Sequence, residues 1–195
     1  MLVIFSYYSS LTCLFMKALL KFVPFLFLLI ACEDKLPKPT QSGSNTFACK
    51  LNGKAWIADR GTGFNTRKFS VWYGYVNPPN KQLFISANRI AEGEHSTIQL
   101  ALEDVKVRGT HYFSFDTGPA PDQMRFQDHA MYRESKPGNG RYITSSRNTG
   151  FVTFTKVDTV NRIIAGVFEF TAENLDGSGQ TVRITDGRFD LDYSN

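Results

Sequence analysis

The sequence predicts an all-β domain, an antiparallel β-sandwich of about ten strands, with a flattened, calycin-like β-barrel as the alternative. Three observations predict it. Apolar residues recur at alternate positions in short runs, as half-buried strands require. Clusters of Gly, Pro, Asn and Asp separate those runs at intervals of roughly 8 to 12 residues. The apolar set is rich in aromatic residues, 17 of them Phe, and in Val, Ile and Tyr, which suit a pleated surface better than a helix.

The strands follow in order. Phe47, Cys49 and Leu51 alternate with polar neighbours. Asn52-Gly53 then supplies a two-residue hairpin turn, whose central residues both need positive φ, and Lys54–Ile57 returns. Residues 68–76 form a strand closed by Asn77-Pro78-Pro79-Asn80. Residues 82–90 form the next, and 96–102 put Ile98, Leu100 and Leu102 on one face. Thr110–Phe115 follows Gly109. From Asp116 to Arg141 the chain is irregular, with a short strand over 130–133; long loops in compact domains are often functional, so this segment is the expected place for a site. A meander closes the chain. Residues 150–157 and 162–172 are strands, Gly166 marking a bulge. Asn174–Gly179 turns, 180–185 is a strand, Asp186-Gly187 turns again, and 188–193 ends the domain.

Ahead of this domain lies an address. Lys17 and Lys21 precede an apolar run from Phe22 to Ile30 and a small residue, Ala31, which is the pattern of a secretory signal. The run is too short for a stable span of about 20 residues. A leader starting at Met16 is complete without residues 1–15, so Met16 is the expected start. Leu29-Ile30-Ala31-Cys32 resembles a lipobox, the cleavage signal of bacterial lipoproteins. The resemblance implies that residues 1–31 are removed and that Cys32 carries acyl chains such as palmitate. Residues 32–45, rich in Pro, Ser and Gly, then read as a flexible tether with no core to bury. Glu33 and Asp34 behind that cysteine resemble surface-export signals, a resemblance that implies the outer membrane; read as charges alone they are equally a solvated part of the linker.

The run Thr46-Phe47-Ala48-Cys49-Lys50-Leu51-Asn52-Gly53-Lys54-Ala55-Trp56 resembles the opening of a set of small bacterial envelope lipoproteins, an all-β family whose domain has no known function. The stretches Ala165–Ala172 and Ile184–Asp190 resemble their closing half. The likeness covers both ends of the domain and little of its middle. It implies a lipid-anchored antiparallel β domain and carries over no functional residue beyond the lipobox.

Composition narrows the partners. The formal charge is +4, and losing Lys17 and Lys21 with the leader leaves +2. No basic run with interleaved aromatics points to nucleic acid. Of the three cysteines, only Cys49 remains in the folded part, where its phase with Phe47 and Leu51 makes it a buried apolar side chain. His95, His111 and His129 are scattered without metal-ligand spacing. Asp186, Asp190 and Asp192 read as a solvated face beside Arg188, with too few oxygens for Ca²⁺. No catalytic motif, metal or cofactor is expected. In the third strand Phe69, Val71, Tyr73 and Tyr75 share one face, and Ser70, Trp72, Gly74 and Val76 the other. Trp72 is the candidate ligand-binding residue, an aromatic that stacks on sugar rings or binds a protein if exposed. The expected function is a non-enzymatic, lipid-anchored envelope module for a glycan or a protein. The alternatives are a carrier for a small apolar ligand and a structural subunit of a surface complex.

Overall fold

The computed structural model describes residues 35–61, 67–75, 79–91, 94–105, 109–116, 127–135 and 140–194. The expected leader (residues 1–31), Cys32, and the stretches 117–126 and 136–139 of the long irregular segment lie outside the described residues. Among those described, eleven strands and no helix are present. They are β1 (Thr46–Leu51), β2 (Lys54–Ile57), β3 (Phe69–Tyr75), β4 (Lys81–Ala91), β5 (Glu94–Leu102), β6 (Gly109–Phe113), β7 (His129–Glu134), β8 (Arg141–Ile143), β9 (Gly150–Asp158), β10 (Ile163–Asn174) and β11 (Thr181–Asp192).

The strands form one antiparallel sheet curled into a half-barrel, in the order β2-β1-β11-β10-β8-β7-β5-β4-β3. β10 is the hub. It pairs with β11 along nearly its whole length, with β9 from Ile163 to Phe170, and with β8 through Glu173 and Asn174. The sheet therefore forks there, and β9 carries β6 away from the main path. Beyond β2 the curl brings the chain back to β4. Asp59 donates its N–H to Asn88 O (2.9 Å) and accepts from Ile90 N–H (3.1 Å), an isolated parallel bridge to Arg89 that forms a seam.

Local sequence explains the joints. Asn52 and Gly53 have φ of 49° and 82°, the two left-handed residues of a tight hairpin turn. Asp186-Gly187 is a correction: it is a bulge inside one continuous strand, not a turn between two. Phe168 pairs with Gly187 and Phe170 with Ile184, so Thr185 and Asp186 together face Glu169. Asp186 takes φ 53°, and a side chain at Gly187 would collide with the Phe168 backbone. A second register shift falls where Gly166 sits, with the extra residue, Thr155, on β9. β8 is a strand beyond those expected.

The inner face is a set of packed rings. Phe47 lies 4.9 Å from Phe168 and 6.0 Å from Trp56, while Phe168 lies 6.3 Å from both Phe170 and Phe189. Ile85, Ile98, Leu100, Ile164 and Leu191, all fully buried, are among the aliphatic residues packed with them. Each ring contributes roughly 1.5–3 kcal/mol by burial. Aromatic pairs add about 0.5–1.5 kcal/mol each. The C-terminal ends of β1, β10, β7 and β4 gather at one end of the half-barrel, since each is separated from the next by one strand antiparallel to both or by an antiparallel path of odd length.

Candidate functional site

The outer face of β6, β9, β10 and β11 carries a shallow groove bordered by aromatic, charged and hydroxyl side chains. Period-two alternation directs Phe113, Val152, Phe154, Phe168 and Ile184 inward, so their neighbours point out. Tyr112 pairs with Phe151, and Phe151 with Glu169. The next row holds Thr171 against Arg183. Thr110 and Thr153 are linked through their hydroxyls at 2.8 Å. Tyr112, Phe151, Glu169, Thr171, Arg183 and Thr185 border a shallow groove of about 250 Å³. Tyr112 is 63% exposed and stands at its rim. Phe115, also exposed, lies next to Asp116, where the long irregular segment begins; Asp116 accepts from Ser146 N–H at 2.8 Å. The face thus offers an aromatic platform at one side and a carboxylate, a guanidinium and hydroxyls at the other.

Trp72 lies elsewhere. It is on the outer face of β3, paired with Phe84 and 40% exposed. Gly74 leaves room for its ring, since a Cβ there would sit 3.3 Å from Trp72 Cζ2. On the opposite face Phe69, Val71 and Tyr73 pack against the core, and Tyr73 meets Tyr193 edge-on at 5.4 Å. The Lys81 ammonium lies over both the Tyr73 and Tyr75 rings. β3 pairs with β4 at one end of the strand path, and no β3 residue borders the groove beside Tyr112, so Trp72 does not join that platform.

The other candidate residues fall as follows. Cys49 is buried, and burial pushes its thiol up to about 12, so it is an inert core group. His129 is buried, with Nδ1 2.8 Å from Gln127 O, and burial lowers its pKa. His111 packs its ring edge-on against Phe154. No group of three or more His, Cys, Asp or Glu among the described residues is placed to hold a metal ion.

Asp190 is a second correction. It is 1% exposed, not part of a solvated face. The chain from Pro37 to Asn45, within the segment read as a tether, lies over it as a strap. Gly43 N–H donates to Oδ1 at 2.8 Å, and Ser42 and Ser44 N–H donate to Oδ2 at 3.0 and 3.1 Å. The Thr40 and Ser44 hydroxyls donate to Oδ2 at 2.6 Å each. Arg188 Nη1 reaches Pro37 O, and Lys156 Nζ reaches Gln41 O, at 3.1 Å each. Burial opposes ionisation of Asp190, but the Ser44 and Thr40 donors outweigh it and hold the carboxyl well below the usual range. Asp186 instead pairs with Lys50 at 3.2 Å.

Comparison with family models, with curated proteins and with solved structures gives no match for this chain.

Proposed function

We propose that this chain is a lipid-anchored, non-enzymatic binding module of the cell envelope, held at the outer membrane through Cys32. Its ligand is an extended glycan laid across the outer face of β6, β9, β10 and β11. The observation that carries this reading is the exposed Tyr112 ring beside Phe151, in one row with Glu169 and next to Thr171 and Arg183. A flat aromatic takes the apolar face of a sugar ring, and neighbouring hydroxyl, carboxylate and guanidinium groups take its hydroxyls. An open sheet face suits a chain of sugars better than a compact molecule. The apolar-carrier reading draws less support, because the rings of Phe47, Phe168, Phe170 and Phe189 occupy the interior.

Two measurements test the proposal. The intact mass of the protein from its host membrane should equal residues 32–195 plus acyl chains; an unlipidated mass or a retained leader overturns the anchor. Binding of the full chain, in detergent, to envelope polysaccharides should weaken by at least about 10-fold in Tyr112→Ala. Because Tyr112 is exposed, its thermal midpoint should not move. Polysaccharide binding unaffected by that substitution, or retention of an envelope protein instead, refutes the glycan assignment.

A further inference from the structure

The interior of the half-barrel is apolar along most of each strand and then changes character at one end. On the inner face of β4, Leu83, Ile85 and Ala87 are followed by Arg89. On β5, read back from Leu102, the residues Leu100 and Ile98 give way to Ser96 and Glu94. On β7, Ala130 and Tyr132 give way to Glu134. The register pairs Arg89 with Ser96 and Ser96 with Glu134, so all three stand in one row across adjacent strands. Side chains two apart in a strand share a face. Arg89 and Glu134 therefore occupy positions where the fold elsewhere places core residues, a departure from patterning that marks functional sites.

These residues enclose a space of about 230 Å³, with Trp56 and Tyr132 among its walls. Trp56 Nε1–H donates to Ser96 Oγ at 2.9 Å, and Tyr132 O–H donates to Glu134 Oε2 at 3.2 Å. Both walls are thus fixed by hydrogen bonds. Arg89 and Glu134 stand on strands two apart, roughly 10 Å, with Ser96 of β5 between them. Arg89 makes no ion pair among the described residues. A guanidinium and a carboxylate face one small space from opposite sides. The volume holds roughly seven or eight waters, hence one sugar or one amino acid.

We propose that this open end binds a single small molecule bearing a carboxylate next to hydroxyl or ammonium groups. Arg89 forks onto the ligand carboxylate, and Glu134 with Glu94 accepts hydrogen bonds from its hydroxyl or ammonium groups. The site is separate from the outer-face platform and does not depend on it. A uronic acid and an amino acid share this chemistry, and calorimetry on the full chain in detergent distinguishes them with glucuronate, glucose and alanine as probes. Glucuronate, alanine or both should bind with Kd below about 1 mM, and glucose at least about 10-fold more weakly, since it lacks the carboxylate. Glucuronate alone identifies a sugar source, and alanine alone an amino-acid or peptide terminus. Arg89→Gln should abolish the heat, while Arg89→Lys, which keeps the charge without the fork, should retain weak binding. Tyr112→Ala should leave it unchanged, so this site and the platform fail independently. No binding of either carboxylate, or equal binding by a folded Arg89→Gln chain, overturns the proposal.

Discussion

Replacing Asp190 with Ala should lift the strap while leaving the sheet standing. Five short hydrogen bonds converge on this one carboxylate, three from backbone N–H groups and two from hydroxyls. Bonds to an ionised group contribute about 1.5–3 kcal/mol each, so together they return on the order of 8–15 kcal/mol. Ordering the nine residues from Pro37 to Asn45 opposes this by about 1–2 kcal/mol per residue, roughly 9–18 kcal/mol. The two are nearly equal, so the strap sits close to balance and the carboxylate decides it. Without that acceptor the donors rehydrate in water; they do not stay buried and unpaired. Amide exchange at Ser42, Gly43 and Ser44 should accelerate by at least about 100-fold, equivalent to about 3 kcal/mol. Amides of Ile98 and Ile164, deep in the sheet, should keep most of their protection. Asp190→Asn, which retains one acceptor oxygen, should fall between. Unchanged protection at Gly43 in Asp190→Ala would refute the reasoning, because the strap would then be held by something other than this carboxylate.

The same group predicts an acid limit. Its folded pKa is depressed, so its stabilisation is complete above the unfolded value of about 3.9 and is lost as pH falls below that toward the folded value; strap protection followed by exchange should decline in that window and not at neutral pH. Cys49 predicts the opposite slope: its unfolded thiol ionises near 9.0 and its folded thiol near about 12, so stability measured by denaturant should decline as pH rises through that interval. A thiol reagent should modify native Cys49 only at the rate of unfolding, and rapid native labelling would contradict its burial. Gly166→Ala would place a methyl group 2.7 Å from both Phe189 Cζ and Thr153 O. Such overpacking should remove about 1–3 kcal/mol in a denaturation titration, and an unaltered midpoint would show that Phe189 moves without penalty.

Alternation and turn chemistry made most of the fold legible. Phe47-Cys49-Leu51, the Asn52-Gly53 turn and Ile98-Leu100-Leu102 read directly from the chain because each depends only on neighbours. Asp186-Gly187 misled for a physical reason. A left-handed residue serves a hairpin and a bulge equally, and only the pairing of Phe168 and Phe170 with β11 tells them apart. β8 was invisible because three residues are too few to establish a period. Asp190 could not be read as buried, since its cover comes from residues some 150 positions earlier. Nor could the Arg89–Ser96–Glu134 row, which exists only once three strands are in register.

The seam between Asp59 and β4 bears on kinetics as well as architecture. Its two backbone bonds flank Arg89, the residue whose side chain faces the open end. Two hydrogen bonds are a weak fastening, worth only about 1–3 kcal/mol together. The wall at that point should therefore breathe far more often than the β10–β11 ladder opens. A molecule gripping Arg89 would brace the strand that the seam holds, and it would leave when the seam parts. Dissociation should then track the exchange of the Ile90 amide, making the residence time of a ligand a property of the backbone behind it as much as of the groups that touch it.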